Sequence, residues 1–128
     1  MAAAEVRVRA EHSRDFLLTA QLRFEPDGPG ASNNTTGLNA VNAGIAAADA
    51  ICGCKLGYRS NGQDHKHAIV LLAQALPEKR TAARDLGRLL DTKTLTSYGT
   101  SHITAAKAAE LLKYASRLVE EMESVLAT

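Results

Sequence analysis

The most constraining feature of this 128-residue chain is its periodicity. Every long apolar pattern repeats at the helical spacing, and none alternates at two. A chain that presents no strand face buries its apolar residues by packing helices on one another. Alanine and leucine dominate, aromatics make up 4% and there is no Trp, so the helices are slender and strongly helix-prone. The length suits one core, and two would not fit comfortably. The expected architecture is all-α, an up-and-down bundle of four to five helices forming a single domain over 1–128.

The joints are legible as breaks in that pattern. A first helix is expected over about residues 3–24, with Val6, Phe16, Leu17, Ala20 and Phe24 among its apolar positions and Pro26 beyond it. The stretch EPDGPGASNNTT, rich in Gly, Pro, Ser and Asn, reads as a flexible loop at about 25–35. A second helix from about Thr36 to Leu56 carries Ala43, Ala46, Ala47, Ala50 and Cys54, and Gly57 can take the left-handed conformation that stops it. A third, at roughly 62–76, ends before Pro77, and a fourth runs from near Glu78 to about Leu95 with Leu86, Leu89 and Leu90 inward. The last opens at Thr104 as N-cap, with Ile103 and Ala108 placed as a hydrophobic staple. Its apolar stripe includes Ala108, Leu111, Ala115, Leu118, Val119 and Met122.

Charge excludes some functions. Fifteen Lys+Arg against fourteen Asp+Glu give +1, so no global field draws the chain to nucleic acid or membrane, although a local basic site stays open. No stretch approaches 18 uninterrupted apolar residues, which argues against a membrane span. The opening MAAAEVRVRAEHSRD has charges where a secretion signal would need apolar residues, so a cytoplasmic protein is expected. Cys52 and Cys54 stand two apart, on different faces of a helix, and read as two small buried hydrophobes rather than a disulfide or a metal clip. No metal site and no cofactor is expected.

Most polar residues read as solvated helix faces, but the joint Gly57-Tyr58-Arg59-Ser60-Asn61-Gly62-Gln63-Asp64-His65 differs. Ser60 with Gln63 has the form of a capping box, which would start the third helix directly after Ser60. Arg59 would then stand outside that N-terminus and His65 about one turn inside it. The free N–H groups and positive dipole end favour an anion there. A phosphate could take a bidentate contact from Arg59 and meet His65, the side chain best suited to proton exchange near neutral pH. The bland alternative is a capped turn with a surface His.

Arg59, five intervening residues and His65 resemble the Arg–(four to six residues)–His motif of the HEPN superfamily, where it lies at the junction of two bundle helices. AGIAAADAICGCKLGYRSNGQDHKHAIVLLAQAL is similar to the second and third helices of a HEPN bundle, and LLDTKTLTSYGTSHITAAKAAELLKYASRLVEEM to its tail. The resemblance covers roughly residues 36–125. It implies a metal-independent endoribonuclease, often a toxin or defence component, in which a homodimer gathers two Arg–His sets in one cleft. His65 would then act as general base or acid, and Arg59 would hold the scissile phosphate. With the ribose 2′-hydroxyl as nucleophile, DNA would not be cut. The chain departs from active members in having Ser60 directly after Arg59, with Asn61 one further on, and His65-Lys66-His67 where some toxins have His-x-Tyr.

Further substrate-binding candidates are Asp49, Ser60, Asn61, Lys93 and Tyr98. Asp49, upstream in the second helix, is either a partner for Arg59 or His65 or part of a solvated stripe. Lys93 and Tyr98 could touch RNA phosphate or stack on a base, and a Tyr near a helix end also serves as an anchor. His12 and His102 have no constellation around them, and His67 points off the His65 face. Two other readings stand beside the ribonuclease. One is a non-catalytic HEPN-like bundle that binds a nucleotide or a partner such as an antitoxin-type nucleotidyltransferase. The other is a structural oligomer joined through the stripe of the last helix. Divergence of the Arg59 and His65 side chains in both the protomer and a dimer would count against the nuclease.

Overall fold

The computed structural model describes residues 1–24, 31–61, 64–97 and 102–128, the side chains of 94–97 excepted. It is an all-α bundle: among the described residues there are five helices and no strand. They are α1 (Ala3–Arg23), α2 (Asn33–Leu56), α3 (His65–Ala75), α4 (Arg80–Ser97) and α5 (Ala105–Leu126). None of the described helices is long and apolar enough to cross a membrane.

Helix α2 is the centre and touches all four others. Small residues make this possible. Ala40, Ala43, Ala46, Ala47 and Ala50 are wholly buried, and without bulk there the neighbouring backbones approach closely. Gly44 shows the fit, since a Cβ at that position would overlap a methyl of Leu89 on α4 and press on Leu118 of α5. The larger volume comes from those neighbours: Leu72, Leu86, Leu89, Leu111, Leu118 and Met122 are sealed from solvent. Each such side chain contributes about 1.5–3 kcal/mol through the water it leaves. The α5 stripe is therefore spent inside the chain, which removes it as the interface of a structural oligomer.

Helix α1 lies antiparallel on α2. Thr36 Oγ1 donates to the Ala20 carbonyl at 3.2 Å near one end, while Val6 packs over Gly53 near the other. This register brings the middle of α1 beside the last turns of α2.

The helix ends follow local chemistry with two corrections. Gly57 takes φ 82° and its N–H donates to the Gly53 carbonyl at 3.1 Å, the left-handed stop expected of it. Thr104 caps α5 by accepting the Lys107 N–H at 3.1 Å, with Ile103 and Ala108 both buried. Helix α2, however, begins at Asn33 on a Ser32 cap, so positions 33–35 are its first turn rather than loop; residues 25–30 of the expected loop lie outside the described residues. Helix α3 begins at His65 rather than near 62. Its cap is Asp64, whose Oδ1 accepts the His67 N–H at 3.0 Å. Asp64, four residues further along, caps as well as Ser60 would and satisfies the first turn directly.

Candidate functional site

Three pieces of backbone build the site: the last turns of α2, residues 57–61 and 64 of the joint, and the start of α3. The left-handed Gly57 ends α2 and turns the chain, so that Arg59 comes back beside that helix. Asp49 stands seven residues before the end of α2, a rise of about 10 Å. From the joint, Arg59 reaches it, with Nη1 2.9 Å from Asp49 Oδ2. Ser60 is drawn inward until it is buried, and its Oγ donates to the Asp64 carbonyl at 3.3 Å. That bond ties the joint to the first turn of α3 and fixes where His65 emerges.

His65 is thus the first residue of α3, not one turn inside, and its ring lines a cleft between α2, α3 and α4. Asp49, Ser60 and Lys93 line the same cleft, so three of the five substrate-binding candidates converge with the His. The floor is apolar, formed by Ile45, Leu86 and Leu90. The hollow is narrow, about 30 Å³, room for a water or two, and it opens to solvent. Among the described residues, none hydrogen-bonds the His65 ring. Asn61 is exposed and stays out of the cleft. Tyr98 lies outside the described residues.

Asp49 is the electrostatic pivot. Its side chain is 13% exposed, and a carboxylate so covered needs a charged partner. It has two. Arg9 of α1 donates from Nε at 3.0 Å and places Nη2 at 2.9 Å, and all three guanidinium contacts, with that of Arg59, fall on Oδ2. Of the two partners foreseen for Asp49, Arg59 is present, and a second Arg stands where His65 was the alternative. Two cations against one carboxylate leave the pivot net positive, while in the cleft itself Lys93 stands against Asp64. The same carboxylate acts on Cys52, whose thiol is pushed up to about 11, first by burial and then by the Asp49 charge. Cys54, in contrast, is exposed and corrects the expectation of two buried thiols.

Arg59 and His65 do not share a pocket. Arg59 lines a second, wider groove of about 420 Å³ on the α1 side, and its ion pair with Asp49 joins the two hollows. The groove holds Arg9, which was not among the candidates, and His12, which was set aside. Arg9 lines it, and so does His12, whose Nδ1 is 3.0 Å from Arg9 Nη1. His12 therefore has a constellation after all, whereas His102 is exposed at the other end of the chain. The local signal was the i,i+3 spacing of Arg9 and His12 on α1. Their link to Asp49 spans 40 residues and leaves no pattern in the sequence.

Among the described residues, no group of three His, Cys, Asp or Glu side chains is gathered in a way that could hold a metal ion. The polar groups present suit an anion instead: guanidiniums, an ammonium, a proton-exchanging imidazole and the N-terminal end of α3. No model of a known protein family matches the chain, and no curated protein matches it either.

Proposed function

We propose that this chain is a metal-independent endoribonuclease of the HEPN type, with His65 and Arg59 as its catalytic pair. The observation that carries the reading is the convergence of His65, Lys93 and Asp49 on one open cleft whose wall also tethers Arg59. Arg59 gives one N–H to Asp49 and is 46% exposed, so its other donors can meet a phosphate lying across the wall. The ion pair holds the guanidinium in place without spending it.

In this reaction the imidazole of His65 takes the proton from a ribose 2′-hydroxyl. That oxygen forms a bond to phosphorus, the P–O5′ bond breaks, and the leaving oxygen is protonated. The products are a 2′,3′-cyclic phosphate and a 5′-hydroxyl. Arg59 and Lys93 offset the charge that grows on the phosphoryl oxygens in the transition state. Pairing of two protomers, which the HEPN resemblance implies, would bring a second His65 to supply or accept the other proton. A toxin or defence role belongs to the same resemblance.

A second reading has its own support. Arg59 and His65 face adjoining hollows, as they would in a bundle that binds a nucleotide or a partner protein without catalysis. One assay separates the two: cleavage of end-labelled RNA in EDTA by the unmodified chain, His65→Ala and Arg59→Gln. Loss of cleavage in both variants, with far-UV circular dichroism unchanged, supports the nuclease. Absence of cleavage by the unmodified chain on varied RNAs moves the site to the binding reading.

A further inference from the structure

The α1 groove is not accounted for by the reaction just described, which uses Arg59 alone from its lining. We infer that Arg9 and His12 form, with Arg59, a second phosphate subsite that holds the phosphodiester next to the scissile one in an RNA strand. This deepens the ribonuclease reading and rests on it.

Three features on α1 and its neighbours support the subsite. First, Arg9 is oriented. Two of its nitrogens are committed to Asp49 Oδ2 and a third to His12, so its side chain, 21% exposed, is held in one conformation along the groove wall. A guanidinium held in this way loses little entropy when it gains a ligand. Second, the bond to His12 sets the tautomer. A guanidinium can only donate, so Nδ1 accepts and the proton of the neutral ring sits on Nε2. His12 is exposed, and its Nε2–H is a donor available to a groove occupant. Third, Arg9 and Arg59 share one carboxylate, leaving an unbalanced positive charge at the ion pair that joins the groove to the His65 cleft. A strand whose scissile phosphate crosses that ion pair therefore enters the groove with its next phosphate. Glu5 stands on the rim and opposes an anion there. It is engaged at the helix start, where its Oε1 accepts the Ala2 N–H at 3.2 Å.

The test uses the full chain carrying His65→Ala, so that RNA is bound and not cut. A fluorescently labelled tetranucleotide and a dinucleotide of RNA are titrated, with anisotropy read at several salt concentrations. Addition of His12→Ala, an exposed position that folding does not need, weakens tetranucleotide binding and leaves the dinucleotide unchanged. Arg9→Gln weakens the tetranucleotide by roughly tenfold, the loss of one charged contact. It also reduces the steepness of log K against log salt by about 0.7, the share of one single-strand phosphate. A melting curve on Arg9→Gln separates a lost contact from a lost fold. Equal tetranucleotide affinity and equal salt slope in parent, His12→Ala and folded Arg9→Gln overturn the subsite. If the groove variants lose RNA affinity while the unmodified chain never cleaves, the subsite stands as an RNA-binding groove and the nuclease reading alone falls.

Discussion

Removal of the Asp49 carboxylate perturbs the fold and the site together. Asp49→Ala deletes three contacts of 2.9–3.0 Å that tie α1, α2 and the joint together. Arg9 is 21% exposed and Asp49 13%, so that half of the cluster resembles a covered ion pair, and a charged hydrogen bond there contributes about 1.5–3 kcal/mol. Arg59 is 46% exposed, and solvent screens its pair to at most about 1 kcal/mol. The guanidiniums can partly recover by turning toward water, so the expected loss is about 3 kcal/mol. For a 128-residue chain the unfolding entropy is about 0.27 kcal/mol/K, which converts that loss to a fall in melting midpoint of about 10 °C. Asp49→Asn keeps an acceptor and loses the charge, so it lands between the two. The assay is thermal unfolding followed by far-UV circular dichroism, with Arg9→Ala added to form a double-mutant cycle. Once Asp49 is absent, Arg9→Ala costs little. A midpoint for Asp49→Ala within about 2 °C of the parent would refute the pivot, because covered ion pairs of this strength cannot vanish without effect.

Three other outcomes follow from the packing. Gly44→Ala adds a methyl into the wholly buried Leu89 and Leu118; overpacking of about 1–3 kcal/mol outweighs the gain of up to about 1 kcal/mol from helix propensity, and a urea titration that shows a net gain contradicts it. Arg117→Met leaves Asp85, 1% exposed and already with one oxygen unpartnered, without the guanidinium 3.5 Å away. The loss is about 2 kcal/mol, below the fully buried range because Arg117 is 43% exposed, and adding Asp85→Asn recovers most of it. In a thiol-reagent time course on the folded chain, the exposed Cys54 reacts fast and Cys52, pushed up to about 11, reacts only on unfolding. Two equal rates would mean that the end of α2 is open.

The helices were readable because their causes are local. An apolar stripe, a proline, a glycine able to take positive φ or a threonine before an amphipathic run acts within a few residues, so α1, the end of α2 and the start of α5 fell where expected. The start of α3 did not, because Ser60 and Asp64 can both cap, and the choice depended on Ser60 being pulled into the core of the joint. The site divides in the same way. Arg59, His65 and Asp49 lie within 17 residues of one another, and a capping pattern with an Arg–His spacing that resembles a known motif pointed to the first two. Arg9 and His12 belong to the site only through a pairing across 40 residues. Such a partnership depends on how α1 registers on α2, and nothing in the α1 sequence announces it.

The central claim is that His65 promotes attack by a ribose 2′-hydroxyl on a phosphate held by Arg59. The most direct test is to analyse product ends in EDTA, with one RNA and with the same RNA carrying a single 2′-deoxy residue at the cut. The account predicts 2′,3′-cyclic phosphate and 5′-hydroxyl ends from the first, and no cut at that position in the second. Cleavage of the 2′-deoxy strand at the same bond would contradict it.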